Sequence, residues 1–266
     1  MSRTAFVPEP AFDEYRERFK HHFVMERTGG VLEVRMHNDG GEAIWSLELH
    51  RALTQMFRAV ANDRENHILI LTGTGDYWFR VLDSESFAQI EHDDDVFRRK
   101  SYDMWYRDGM RMVESLLWDV DIPTIAVVNG PGFHTEFALL CDVTICADDA
   151  RFFEAHLNIG LAPGDGLFLV LQELLGTKRA TYAMHTVQRI NAPKALEWGL
   201  VNEVLPREQL LPRAREIASI MMTRDPFIRH MTTQIVKRRW KRLFTDDLGF
   251  HISHEMWGTM VHRGKH

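Results

Sequence analysis

Short apolar runs that alternate with amphipathic helical ones predict an α/β layer protein. Three observations carry that prediction. HILILTGTG (67–75) and PTIAVVNGPG (123–132) are buried-strand runs that each empty into glycines, and VTICAD (143–148) reads as a third strand. Between the N-terminal hairpin and the first of these lies SLELHRALTQMFRAVAND, whose Leu47, Leu53, Met56, Phe57 and Val60 recur at near-helical spacing. Open α/β sheets place their ligands at the carboxyl ends of the strands, where these glycine loops begin.

The elements follow in order. MSRTAFVPEPAFDEYRERFKHH forms a polar N-terminal arm (1–22). FVMERTGGVLEVRMH (23–37) reads as two strands joined at Gly29 and Gly30, a hairpin. Ser46 can cap the helix after it. A helix around APKALEWG precedes a short strand, VNEVL (201–205). Beyond it the chain is predicted almost wholly helical: REQLLPRAREIASIMM, PFIRHMTTQIVKRRWKRLF and DDLGFHISHEMWGTMV. The organisation read from this is a strand-rich core over 1–205 and a helical C-terminal region over 206–266, packed on its own core or on a neighbouring subunit.

Composition narrows the function classes. With 266 residues, 45% hydrophobic and 26% charged, the chain can bury one large core. A net charge of -6 and a pI near 6.2 give no global reason to expect nucleic acid or an anionic membrane as partner. Cys141 and Cys146 lack C-x-x-C spacing and lie in apolar surroundings, so buried reduced thiols and a cytoplasmic setting are expected. There is no apolar signal-peptide stretch, and no run approaches the ~20 apolar residues of a membrane span. His251, His254 and Glu255 lack the second histidine of H-E-x-x-H, so no metal is expected. The basic run KRRWKR (237–242) is interleaved with apolar residues and reads as a solvated or intersubunit face.

The stretch FFEAHLNIGLAPGDG (152–166) carries the chemistry. His156 and Asp165 flank an apolar run ending in a Pro-Gly-Asp-Gly turn, from which Asp165 could reach the imidazole or cap the helix LFLVLQELL. An imidazole suits a base that must deprotonate water near neutral pH.

ILTGTG, IPTIAVVNGPG, LLCDVTICADDARFFEAHLNIGLAPGDG and ALEWGLVNEVLP occur in the order and spacing of the crotonase (enoyl-CoA hydratase/isomerase) superfamily, which the chain resembles over roughly residues 25–260. The resemblance implies a crotonase-like spiral of ββα units with a helical C-terminal trimerisation region, assembled as a homotrimer or dimer of trimers. The departures are informative. PGFHTE stands where hydratases carry a run of glycines, and AHLNIG stands where they carry P-E-x-x-L-G, so His156 occupies the position of a catalytic glutamate while Glu136 falls on the other one.

This pattern resembles the β-diketone hydrolases typified by 6-oxocamphor hydrolase, which need neither CoA nor another cofactor. That resemblance implies two histidine–carboxylate pairs. His156 with Asp165 would activate water, while His134 with Glu255 would stabilise the oxyanion and enolate and return a proton. Trp45, Trp78, Phe87 and Glu136 are expected at the substrate, the aromatics as a wall for a compact ring. YWFRVLDSESF lacks the glycine that usually follows the first oxyanion-hole amide, so the donor near Arg80 is expected to be displaced or absent. The expected partner is a small-molecule diketone, with no nucleic acid and no membrane. The alternatives are a CoA-thioester hydratase, isomerase or hydrolase, with KRRWKR contacting the CoA phosphates, and a non-catalytic assembly or RNA-binding member.

Overall fold

The computed structural model describes residues 8–91 and 93–262. Ten strands are named in chain order: β1 (Phe23–Thr28), β2 (Val31–Met36), β3 (Ile44–Trp45), β4 (Ile68–Thr72), β5 (Val81–Leu82), β6 (Thr124–Val128), β7 (Val143–Ala147), β8 (Arg151–Phe152), β9 (Ile190–Asn191) and β10 (Glu203–Leu205). Six of them make the main sheet, in the order β1-β2-β4-β6-β7-β10. The hairpin β1–β2 is antiparallel and every other pairing in that sheet is parallel. Two-stranded sheets β3–β5 and β8–β9 stand apart from it.

The apolar runs explain the middle of this sheet. In β4 and β6 every residue is buried, as parallel strands covered on both faces require. The hairpin turns at Gly29 and Gly30, which adopt φ of 57° and 85°, a region closed to most side chains.

The helices are α1 (Phe12–Arg18), α2 (Leu47–Asn62), α3 (Ser84–Glu91), α4 (Asp94–Ser101), α5 (Arg111–Glu114), α6 (Glu136–Leu139), α7 (Leu167–Leu175), α8 (Thr177–His185), α9 (Ala192–Glu197), α10 (Arg207–Met222), α11 (Pro226–Val236) and α12 (Arg238–His262). π-helical segments at Tyr102–Met110 and Ser115–Asp119 flank α5. Ser46 does cap α2, its Oγ accepting the Leu49 amide at 3.1 Å.

The C-terminal helices pack on the strand-rich part. Leu210, Ala214 and Ala218 of α10 lie against one face of the sheet with Ile68, Ile70, Ile125 and Val127. Phe244 and Leu248 of α12 belong to the main core on the other face. A smaller cluster of Phe97, Met104 and Trp105 draws in Phe87 and, from α12, Ile252 and Met256.

In the basic run Arg238, Arg239 and Arg242 are exposed, as a solvated face requires, and only Lys237 corrects that expectation. Lys237 is fully buried, and its ammonium donates to the carbonyls of Val120 at 2.9 Å and Leu116 at 3.3 Å, closing the end of the 115–119 segment. Arg239 is engaged with Glu173, and Lys241 with Gln234. Among the described residues no helix is long and apolar enough to cross a membrane.

Candidate active site

Three loop stretches and one helix converge on a buried polar cluster. The loop after β6 supplies His134 and, opening α6, Glu136. The chain after β8 supplies Glu154 and His156, the Pro-Gly-Asp-Gly turn supplies Asp165, and α12 supplies Glu255. Gly164 admits the last of these: a side chain there would collide with the Glu255 carboxylate and its Cβ.

All four residues expected to carry chemistry meet here, but their pairing is crossed relative to expectation. Asp165 Oδ2 lies 2.8 Å from His134 Nδ1 and 3.9 Å from His156 Nδ1, so its hydrogen bond goes to His134. The His156 Nδ1 partner is Glu154, at 2.6 Å, and the same Glu154 Oε1 accepts the His156 amide at 2.7 Å. Glu255 Oε1 faces His156 Nε2 at 3.8 Å rather than pairing with His134. The physical reason is reach. Residue 154 sits two positions from His156 on the same turn, and Asp165 is also committed to capping α7 through the Leu167 amide at 3.2 Å.

Glu136, expected at the substrate, is fully buried and lies 3.0 Å from His134 Nδ1 as its second carboxylate. Trp78, expected in the substrate wall, is fully buried, and its indole N–H donates to the His134 carbonyl at 3.1 Å. That bond braces a strained backbone, because His134 adopts φ of 51°. Trp45 stacks on the His134 ring at 3.8 Å with 20° between planes, and Phe87 lies farther out, edge-on to His50 at 6.3 Å. The Arg80 amide donates to the Ala43 carbonyl at 2.9 Å and so is no oxyanion donor, as the loop sequence suggested.

Sequence reasoning missed two residues. Glu154 had a signal: E-A-H mirrors H-T-E, each placing a carboxylate two residues from an imidazole. His50 had none, since its role depends on α2 turning it inward against Trp45, where the rings meet edge-on at 5.5 Å.

Burial and mutual charge set the protonation. Burial alone would lower His134, but the Glu136 charge and the hydrogen bonds to Asp165 and Glu136 outweigh it and hold the imidazolium up to about 9. Burial likewise opposes the charge on His156, yet the surrounding Glu255, Glu154 and Asp165 raise it well above its ordinary value. Burial would raise Asp165, but the charge of His156 and the bond to His134 keep it well below the usual carboxylate range. Burial pushes Glu136 and Glu255 up to about 7 each. Burial, reinforced by the His134 charge, drops His50 to about 3, so it stays neutral.

One atom each from His134, His156 and Asp165 lies within 4.8 Å of the others, close enough to hold a metal ion. The contact of Asp165 with His134 accounts for one of these proximities, while His156 is tied to Glu154 instead.

The fold and this histidine–carboxylate cluster define a crotonase-superfamily enzyme. The enoyl-CoA hydratase/isomerase family model matches residues 26–263, and the chain belongs to that family. Its relatives include the hydroxycinnamoyl-CoA hydratase-lyase of Pseudomonas fluorescens, 28% identical over 77% of this chain and 74% of that protein. The carnitinyl-CoA dehydratase of Salmonella paratyphi A is 30% identical over 76% of this chain and 75% of that one. Among solved structures, a β-diketone hydrolase from the cyanobacterium Anabaena sp., bound to (S)-3-oxocyclohexyl acetic acid, superposes with a TM-score of 0.87 at 30% identity, covering 94% of this chain and 98% of that one. An enoyl-CoA hydratase/isomerase from Mycobacterium paratuberculosis shares the fold, with a TM-score of 0.79 at 22% identity over 90% and 94% of the two chains.

Proposed function

We propose that the chain is a carbon–carbon bond hydrolase that opens a β-diketone, cyclic in form, by a retro-Claisen reaction. The observation that carries this reading is the buried pair of imidazoles, each tied at Nδ1 to carboxylate, with Glu255 facing the free nitrogen of one of them. Likeness to the Anabaena β-diketone hydrolase supports it.

The division of labour follows the observed pairing. Water within reach of both His156 Nε2 and Glu255 Oε1 gives its proton to that pair as its oxygen bonds to one carbonyl carbon. A Glu255 carboxyl near 7 is poised for such a transfer at neutral pH. The His134 imidazolium, held by Asp165 and Glu136, stabilises the tetrahedral oxyanion. Its collapse breaks the bond to the central carbon, whose electrons become the enolate of the second carbonyl. The proton taken from water returns to that carbon, leaving one ketone and one carboxylic acid, which releases its own proton to solvent and becomes the carboxylate. Stacking on Trp45 fixes the plane of the imidazolium and adds cation–π attraction.

The acid-rich cluster also favours a neutral diketone over an enolate. The test is therefore 2,2-dimethylcyclohexane-1,3-dione, which cannot enolise between its carbonyls, with formation of 6-methyl-5-oxoheptanoate followed by mass spectrometry. Turnover that disappears in His156→Ala is expected. No turnover of any diketone, together with tight calorimetric binding of CoA, would hand the site to a CoA thioester instead. Two observations oppose that rival: Lys237 is tied inside the fold, and the Arg80 amide is occupied.

Exposed apolar side chains on α11, among them Phe227 and Ile235, support packing against further copies as a trimer or dimer of trimers. Sedimentation equilibrium tests this, and a monomer at micromolar concentration sinks it.

A further inference from the structure

A second cavity lies on the outer side of α2, against the 102–111 segment. Its lining includes four guanidinium groups, Arg51 and Arg58 from α2 and Arg107 and Arg111 from the facing segment, with two aspartates, Asp103 and Asp108. The lining thus carries more guanidiniums than carboxylates, although each arginine has a carboxylate within 4 Å. The arginines are incompletely paired. Arg51 donates only its Nε, to Asp108 at 3.0 Å. Arg58 and Arg107 reach Asp119 and Asp103 at 3.6 and 3.7 Å, beyond hydrogen-bond length, and Arg111 lies 2.9 Å from Glu114. Exposed Tyr102 and Tyr106 stack at 5.1 Å to form an aromatic wall, with Arg107 over the Tyr102 ring.

We propose that this cavity is a second, anion-binding site, and that its ligand is the oxo-carboxylate produced by ring opening. The identity of the ligand rests on the function proposed above; the anion chemistry rests on the guanidiniums alone. Planar guanidinium forks match a carboxylate bidentately, and the tyrosine faces match the alkyl or ring portion of such an acid. The product forms beside carboxylates, Glu154 and Asp165 among them, whose only cationic counterparts among the described residues, His134 and His156, are already engaged with them at Nδ1, so nothing there is left over to hold a new carboxylate firmly. The arginine cavity stands close behind that centre. Asp108 pairs with Arg51, the adjoining Gly109 leaves space into which His50 packs, and His50 abuts Trp45, which stacks on His134.

Calorimetric titration of 6-methyl-5-oxoheptanoate and, separately, inorganic phosphate tests the proposal, using the wild type, His156→Ala, Tyr106→Ala and the double variant Arg58→Ala/Arg107→Ala. The expected result is binding of the oxo acid that survives His156→Ala, weakens with added salt and falls roughly tenfold or more in the double variant, the scale of at least one lost charge-assisted hydrogen bond. A smaller loss in Tyr106→Ala is expected, with every variant keeping its far-UV circular dichroism. Equal binding of the oxo acid by wild type and double variant overturns the site, and phosphate binding in preference to the oxo acid overturns its ligand. Because the titration needs no turnover, an inert diketone assay sinks the proposed reaction and leaves this result separately readable.

Discussion

Two of the places where this chain buries charge handle it in opposite ways. Lys237 is one cation sunk into the core, with two backbone carbonyls as acceptors, and burial lowers its pKa. The candidate active site gathers His134, His156, Glu136, Glu154, Asp165 and Glu255, and there Glu136, Glu154 and Glu255 each keep an Oε2 without a hydrogen-bond partner among the described residues. A buried charge that serves the fold is tied off, because an unmade hydrogen bond costs about 1–3 kcal/mol. A buried charge that serves chemistry keeps atoms open for a substrate, and a site so built sacrifices stability for function.

The largest effect that can break this contrast is on turnover. His156→Ala and, separately, Glu255→Gln should each lower kcat on the diketone by about 10²–10⁴-fold, the usual worth of a general acid–base group. Neither should unfold the chain, because the Glu255 carboxyl is held up near 7 by burial and gains by losing its charge. Thermal melts beside the kinetics check both halves. A Tm drop in Glu255→Gln as large as that of a core truncation would make Glu255 a structural residue.

Lys237 should behave in the opposite way. Lys237→Ala leaves the Leu116 and Val120 carbonyls unpaired in a cavity and should cost about 3–5 kcal/mol by urea titration. Lys237→Met fills the volume and should cost less, with kcat per folded molecule unchanged in both. Loss of activity at full stability would move Lys237 out of the structural class.

The same contrast explains what the sequence disclosed. Buried parallel strands were legible because runs such as ILILT and TIAVV have one physical use, and the hairpin because Gly-Gly tolerates positive φ. The membership of His134, His156, Asp165 and Glu255 in one site was legible from the motifs that carry them. Their pairing was not. Whether Asp165 meets His134 at 2.8 Å or His156 at 3.9 Å depends on how the loop after β6 folds over the turn, which no spacing encodes. Lys237 was misread for a related reason. A basic run looks solvated residue by residue, and only the position of the 115–119 carbonyls turns one lysine inward.

The pH dependence of the two properties should diverge. Water activation needs the Glu255–His156 pair to have room for a proton, so kcat/KM should rise through about 7. It should fall as the His134 imidazolium is lost near 9. Stability runs the other way. Groups raised on folding, His134 from 6.5 and Glu136 and Glu255 from 4.5, contribute most below those ordinary values, and that contribution fades as pH climbs through about 7 and then about 9. Asp165, lowered on folding, contributes above 3.8 and loses its share in acid. The stability contribution of these groups should therefore peak on the acid side of the activity maximum, between roughly 3.8 and 4.5. Coincident maxima in melts and kinetics would contradict this assignment of charges.

The smallest effect sits where the two kinds of buried group meet. Trp78 is fully buried and touches no reacting atom in the proposed mechanism, yet its N–H holds the carbonyl of a histidine kept at φ 51°. Trp78→Phe removes that bond and some volume, for a loss of about 1 kcal/mol attributable to the hydrogen bond. It should also lower kcat by a few-fold and shift the alkaline limb of the pH profile, since an imidazolium less firmly aimed at Asp165 and Glu136 titrates earlier. A merely structural tryptophan would change the Tm and leave that limb where it was. The position of the limb therefore decides whether the indole only fills the core or also keeps His134 facing its carboxylates.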